Sequence, residues 1–269
     1  MQVIGLCRFS YLGTGGFQVE HDSLAERFDY LYAPERMEER FRTFETITLP
    51  PLRTQTDPDF TFLIVTSESM PKHYDERLMD LVADIPQVIV QKHKPGRHRA
   101  IMQRAINSVR VFDKLPCAQF RMDDDDAVAC VYVEKLRQAV QDVRKLTRNH
   151  RHIAIDFNQG FIARPGPEGL QTAPTKTPYT TAALAVVLRH NVEQSVMNFA
   201  HMKVGQNMPT VTFSGDDMLV RGHNDFNDSR QKPNAKPVKL TPQNQKEEAH
   251  FKKVYNIDAD HIRQVFSAA

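Results

Sequence analysis

Four consecutive aspartates, Asp123-Asp124-Asp125-Asp126, follow directly on the largely apolar run Ala118-Gln119-Phe120-Arg121-Met122. Like charge packed this closely is unfavourable unless a cation neutralises it. Carboxylate oxygens are hard ligands and suit Mg²⁺ or Mn²⁺. Residues i and i+2 of an extended segment point the same way, so Asp123 and Asp125 are expected to face one site together. Asp124 and Asp126 then face the other way, with Asp126 available to cap the following helix. Arg97, His98, Arg99 and Arg104 cluster just upstream. An anion site is therefore expected beside the cation site.

The elements that position these residues show in the hydrophobic pattern. Residues 3–9 and 60–66 read as buried strands, residues 88–90 as a shorter one, and residues 118–122 as the strand that ends at Asp123. Helical spacing lies between them: over residues 36–46, at Tyr74, Leu78, Leu81 and Val82, and at Ile101, Ala105 and Val109. A longer helix follows the aspartates, marked by Val133, Leu136, Val140 and Val143. Strands alternating with helices predict an α/β, Rossmann-like fold with a mainly parallel central sheet flanked by helices. A flexible loop with Gly13, Gly15 and Gly16 follows the first strand, where such sheets tend to bind nucleotides.

The second half is less regular. Residues 152–163 look like a strand pair, and 184–188, 210–213 and 218–220 like strands. Residues 195–203 suggest a helix, and so do residues 260–266. Residues 227–245 are rich in Pro, Lys, Asn and Gln and read as a loop or linker. The expected organisation is one domain over residues 1–230, followed by a C-terminal linker and helix over 231–269 that pack on it.

Composition sets bounds. The chain has 269 residues, 41% hydrophobic and 25% charged, enough for a sizeable core without disulfides. A net charge of +2 gives no global basic field that calls for nucleic acid. The three cysteines show no regular spacing and no zinc pattern, which favours reduced, buried thiols. No basic leader with an apolar h-region opens the sequence, and no apolar run is long enough to span a bilayer. A cytoplasmic enzyme is expected, with peripheral membrane proximity left open.

Phe120-Arg121-Met122-Asp123-Asp124-Asp125-Asp126 resembles the DxD signature of GT-A glycosyltransferases in its DxDD form. The segment from Gly96 through Arg97-His98-Arg99-Ala100 to Asn107 sits where those enzymes carry the helix before the DxD strand. From the first strand to about Arg230, the chain resembles a bacterial family of rhamnosyltransferases. A fourth aspartate leaves two registers, Asp123/Asp125 and Asp124/Asp126.

The resemblance implies a nucleotide-diphosphate sugar donor, a saccharide or other hydroxyl acceptor, and Mn²⁺ or Mg²⁺ as cofactor. It places Asp123 at the ribose or nucleotide and Asp125 on the ion bridging the diphosphate. Arg8, Arg97, Arg99, Asp124 and Arg221 join the expected donor-binding set. His223 is the expected late metal ligand, beside Asp123 and Asp125. An inverting transferase needs a carboxylate base for the acceptor hydroxyl. Asp216 and Asp217, at the turn after residues 210–213, are the expected candidates, with Asp156 as the next; turn-forming aspartates are the alternative. His201 is a further acceptor-side candidate. A sugar nucleotidyltransferase is the competing enzyme, but the first-strand glycines are not followed by an Arg-Lys pair. A non-enzymatic cation- or carbohydrate-binding module is the third reading, and the run lacks the spaced ligand pattern of a calcium loop.

Overall fold

The computed structural model describes residues 1–15, 21–223 and 238–268. Gly16, Asn224 and most of the Pro- and Lys-rich stretch lie outside them. The strands are β1 (Gln2–Arg8), β2 (Thr61–Ser67), β3 (Val88–His93), β4 (Cys117–Arg121), β5 (Ala127–Val128), β6 (His152–Phe157), β7 (Gln159–Gly166), β8 (Gly169–Lys176), β9 (Leu184–Leu188), β10 (Thr210–Phe213), β11 (Leu219–Gly222) and β12 (Thr241–Pro242). The helices are α1 (Leu24–Leu31), α2 (Pro34–Thr43), α3 (Leu49–Arg53), α4 (Lys72–Val82), α5 (His98–Ser108), α6 (Tyr132–Asp142), α7 (Arg144–Asn149), α8 (Val204–Asn207), α9 (Gln245–Tyr255) and α10 (Ala259–Ser267). A π-helical segment, Phe44–Thr48, joins α2 to α3.

The central sheet runs β10-β6-β9-β4-β1-β2-β3. Every pair is parallel except those made by β9, which lies antiparallel between β4 and β6. The mainly parallel sheet flanked by helices is the architecture the alternation predicts. Strand β4 reads apolar almost throughout because both its faces are covered. Ala118 and Phe120 pack into the core layer that holds Phe41, Phe44 and Tyr132. Cys117 packs on the opposite layer with Ile101, Met102 and Val186.

A second sheet, β12-β8-β7-β11-β5, stands beside the acidic run. The predicted strand pair over 152–163 is present, but its members belong to different sheets. Only Asn158 separates β6 from β7. Within the second sheet β7 and β11 approach closely: an added Cβ at Gly160 would lie 1.9 Å from the Leu219 carbonyl oxygen.

Two expectations need correction. Residues 195–203 form two 3₁₀ turns, not a helix. Ser195 and Asn198 cap each other, and Phe199 turns extended (φ −116°, ψ 129°), which buries its ring and ends the turn. The expected linker is interrupted by β12 and ends at α9, whose capping box pairs Asn244 with Glu247. Helix α9 is an addition, and it contributes Phe251 and Tyr255 to the main core alongside Ile262 of α10.

Candidate functional site

The acidic run leaves the carboxyl end of β4 and turns at once, with the Asp126 amide donating to the Asp123 carbonyl at 3.2 Å. The turn breaks the i, i+2 alternation that strand geometry predicts. Asp123, Asp125 and Asp126 converge, each offering an oxygen within 4.8 Å of the others. Asp126 is therefore not turned away: its carboxylate accepts from the amides of Asp123 (3.4 Å) and Gly222 (3.1 Å). Asp124 is the aspartate that points back, to an ion pair with Arg40 of α2. Asp124, expected in the donor-binding set, does not line the cleft.

Two supports fix the turn. Thr48, at the end of the π-helical segment, shares its hydroxyl proton between the carbonyls of Asp124 and Asp126, 2.9 Å from each. Gly222, at the end of β11, presses against the run from the other side. An added Cβ there would stand 2.5 Å from the Asp125 carbonyl oxygen, so only glycine allows the approach.

Burial and the neighbouring Asp124 and Asp123 push the Asp125 carboxyl up to about 7. Burial, with Asp125 and Asp123, drives Asp126 upward as well. Carboxylates held this way are short of positive charge. The donor set, three oxygen ligands in a buried cluster, fits a hard divalent cation.

The three carboxylates open into a cleft of about 570 Å³. Four arginines line it: Arg8 from the end of β1, Arg99 from α5, Arg121 from β4 and Arg221 from β11. His98, at the start of α5, sits 3.4 Å from Arg8 through Nε2. Arginine only donates, so Nε2 accepts and the ring is neutral with its proton on Nδ1. Burial first, then Arg8 and Arg121, hold His98 down at about 3. Arg97 stays exposed outside the cleft wall, where its backbone bridges Thr14. His223 lies one residue beyond Gly222, half-buried, outside the carboxylate cluster and the cleft lining.

Residues 177–181 and His201 line the same cleft. His201 Nδ1 lies 2.7 Å from the Tyr179 carbonyl oxygen. A carbonyl accepts only, so the proton is on Nδ1, and Nε2 keeps its lone pair. Burial, with Arg121 and Arg221, lowers the His201 pKa from its ordinary value, against the Tyr179 bond. Tyr179 holds φ +64°, and its amide donates to Asp156 Oδ1 at 3.0 Å.

The expected bases fall elsewhere. Asp156 is fully buried, and its second oxygen accepts from the Thr212 hydroxyl at 3.0 Å. Asp217 bonds His250 (2.9 Å) and Gln159 (3.0 Å), and Asp216 pairs with Lys135 at 3.4 Å. Strand β11 runs from Asp217's end toward the acidic run, so about 16 Å of strand separates them from it. Arg121, Tyr179, Arg40 and Thr48 are not singled out by the sequence. Arg121 had a signal, since it stands two residues before Asp123 on one strand face. Arg40 and Thr48 had none, because their role depends on how α2 packs.

Over residues 2–236 the chain matches the family described as "Putative rhamnosyl transferase". The chain belongs to this family. Its mainly parallel central sheet flanked by helices is the α/β architecture that the sequence predicts. No curated protein matches the chain. Among solved structures it is similar to S. aureus TarS 1-349 in complex with UDP-GlcNAc, at 10% identity and a TM-score of 0.45, covering 85% of this chain and 60% of that one. The TarS 1-349 complex with UDP gives 10% identity and a TM-score of 0.44, covering 83% and 61%. The chain thus spans about 60% of the length of the TarS chains it matches. No helix among the described residues of this family member is long and apolar enough to cross a membrane.

Proposed function

We propose that this family member transfers a sugar, rhamnose by its family description, from a nucleotide-diphosphate donor to an acceptor hydroxyl with inversion. The observation that supports this most is the convergence of Asp123, Asp125 and Asp126 in a cleft lined by four arginines. That is a cation site set inside an anion site, which a metal-bound diphosphate requires. Asp123, Asp125 and Asp126 would hold Mg²⁺ or Mn²⁺; when bound, the ion stabilises charge on the departing nucleoside diphosphate. Arg8, Arg99, Arg121 and Arg221 hold the phosphate oxygens and orient the donor. His98 keeps Arg8 in place without adding charge.

The acceptor proton goes to His201 in this reading. Its Nε2 is a base available in the cleft lining, and its lowered pKa keeps it neutral at neutral pH. Asp216 and Asp217 are replaced in that role. His223, Arg97 and Asp124 are not assigned to the donor. Residues 1–230 would be the catalytic domain, with 231–269 as its C-terminal segment, in a cytoplasmic enzyme.

The test is a screen of nucleotide sugars that reads nucleoside diphosphate release, with Mg²⁺ or Mn²⁺ and then with chelator. Release should stop in chelator and return with metal, and an NMR spectrum of the product should show the inverted anomer. Undiminished turnover in chelator, or a retained anomer, would refute the corresponding half of the proposal.

A further inference from the structure

Strand β9 pairs with β4 and β6 so that Leu188 meets both Cys117 and His152. The loop before β4, the turn after β9 and helix α7 before β6 therefore share one end of the sheet, across about 10 Å. Asp123 lies at the other end of β4, about 20 Å away.

The loop before β4 is fixed at its base and bare at its tip. Arg110 is buried and donates to the carbonyls of Val192 (2.6 Å), Arg189 (2.8 Å) and Gln194 (3.3 Å). Its guanidinium also lies 4.5 Å from the Phe112 ring centroid. Beyond it, Val111, Phe112 and Leu115 are 59%, 50% and 53% exposed. Three large apolar side chains presented together on an anchored loop are a surface the fold itself does not use.

Cations lie at the same end of the sheet. Arg144, Lys145 and Arg148 on α7, Arg151 after it and Lys114 in the loop are all exposed. None of the five forms an ion pair among the described residues. The acidic groups at this end are fewer. Asp113 accepts from the Leu115 amide at 2.8 Å, Asp142 accepts from Gln138 at 2.8 Å, and Glu193 is exposed.

We propose that this end of the sheet docks on an anionic phospholipid surface, with Val111, Phe112 and Leu115 entering the interfacial layer and the five cations facing the headgroups. Apolar insertion and headgroup attraction act together in such docking. A nucleic acid would use the cations and leave the apolar tips in water, so lipid is the partner that fits both. Docking here leaves the cleft open at the opposite end. The proposal stands apart from the transfer chemistry.

The test is co-sedimentation of the full chain with vesicles of phosphatidylcholine alone and of phosphatidylcholine mixed with phosphatidylglycerol. The chain should partition onto the mixed vesicles, far less onto the neutral ones, and less again as salt rises. Arg148→Gln with Arg151→Gln should weaken partition about thirty-fold. Phe112→Ser with Leu115→Ser should abolish it while circular dichroism stays unchanged. No partition at low salt, equal partition onto both vesicle types, or wild-type partition by either double variant overturns the proposal. Binding to duplex DNA without binding to vesicles overturns it too, and marks the patch as a nucleic-acid site.

Discussion

The Tyr179 amide donates to Asp156 Oδ1 at 3.0 Å, and this bond holds Tyr179 in a left-handed conformation at φ +64°. Asp156 is buried, and its other oxygen is taken by Thr212, so it works as a fixed anchor. The Tyr179 carbonyl then orients His201. Asp156→Ala removes both acceptors and leaves the half-buried Tyr179 amide and the Thr212 hydroxyl without their partner, at about 1 kcal/mol each. Thermal denaturation should show the loss. Turnover should fall further than donor affinity, and Asp156→Asn, which keeps an acceptor, should recover part of it. Loss of donor binding in step with turnover would show that Asp156 is structural only.

His201→Gln keeps a polar side chain but lacks a basic ring nitrogen. It should lower kcat by about 10²–10⁴-fold and leave the donor KM near wild type. Its pH–rate profile should also lose the acid limb of the wild-type enzyme. An unchanged kcat would assign the base elsewhere.

Gly222→Ala forces a methyl group against the Asp125 backbone, only 2.5 Å from its carbonyl oxygen. The expected outcome is destabilisation by about 1–3 kcal/mol. Metal affinity, read by titration calorimetry with Mn²⁺, should drop roughly tenfold as Asp126 loses its Gly222 partner.

His98 supplies a pH dependence with a definite sign. Its folded pKa, about 3, lies below the usual value of 6.5. The unfolded chain therefore binds the extra proton first, and stability is lost as pH falls below 6.5. Between pH 6.5 and 5 the loss is about 2 kcal/mol. Asp125 has the opposite sign, because it takes up a proton in the folded state at a pH where the unfolded chain has released it. The informative quantity is thus the difference between wild type and His98→Gln in chemical denaturation at both pH values. A difference that does not change with pH would sink the assignment.

The first half of the chain was legible because β1, β2 and β4 are buried on both faces and the helices between them carry apolar stripes. The acidic run was legible as a site for the same reason: it ends a buried strand, which is where charge needs a purpose. Its internal geometry was not. Strand alternation put Asp125 beside Asp123 and turned Asp126 away, but the turn at Asp123 brings Asp126 in. On the acceptor side, proximity in sequence stood in for proximity in space. Asp217 is four residues before Arg221, yet the strand between them carries it to the far end. His201 and Tyr179 meet only because a loop and a 3₁₀ turn cross, which no periodicity records.

The π-helical segment between α2 and α3 carries a consequence for how the sequence is free to change. Arg40 reaches Asp124 from one side of the segment and Thr48 reaches the Asp124 and Asp126 carbonyls from the other. Both contacts depend on the number of residues between them. Deleting one would rotate Thr48 by about 100° about the helix axis and withdraw its hydroxyl from both carbonyls. Descendants of this gene are expected to hold the length of this stretch constant.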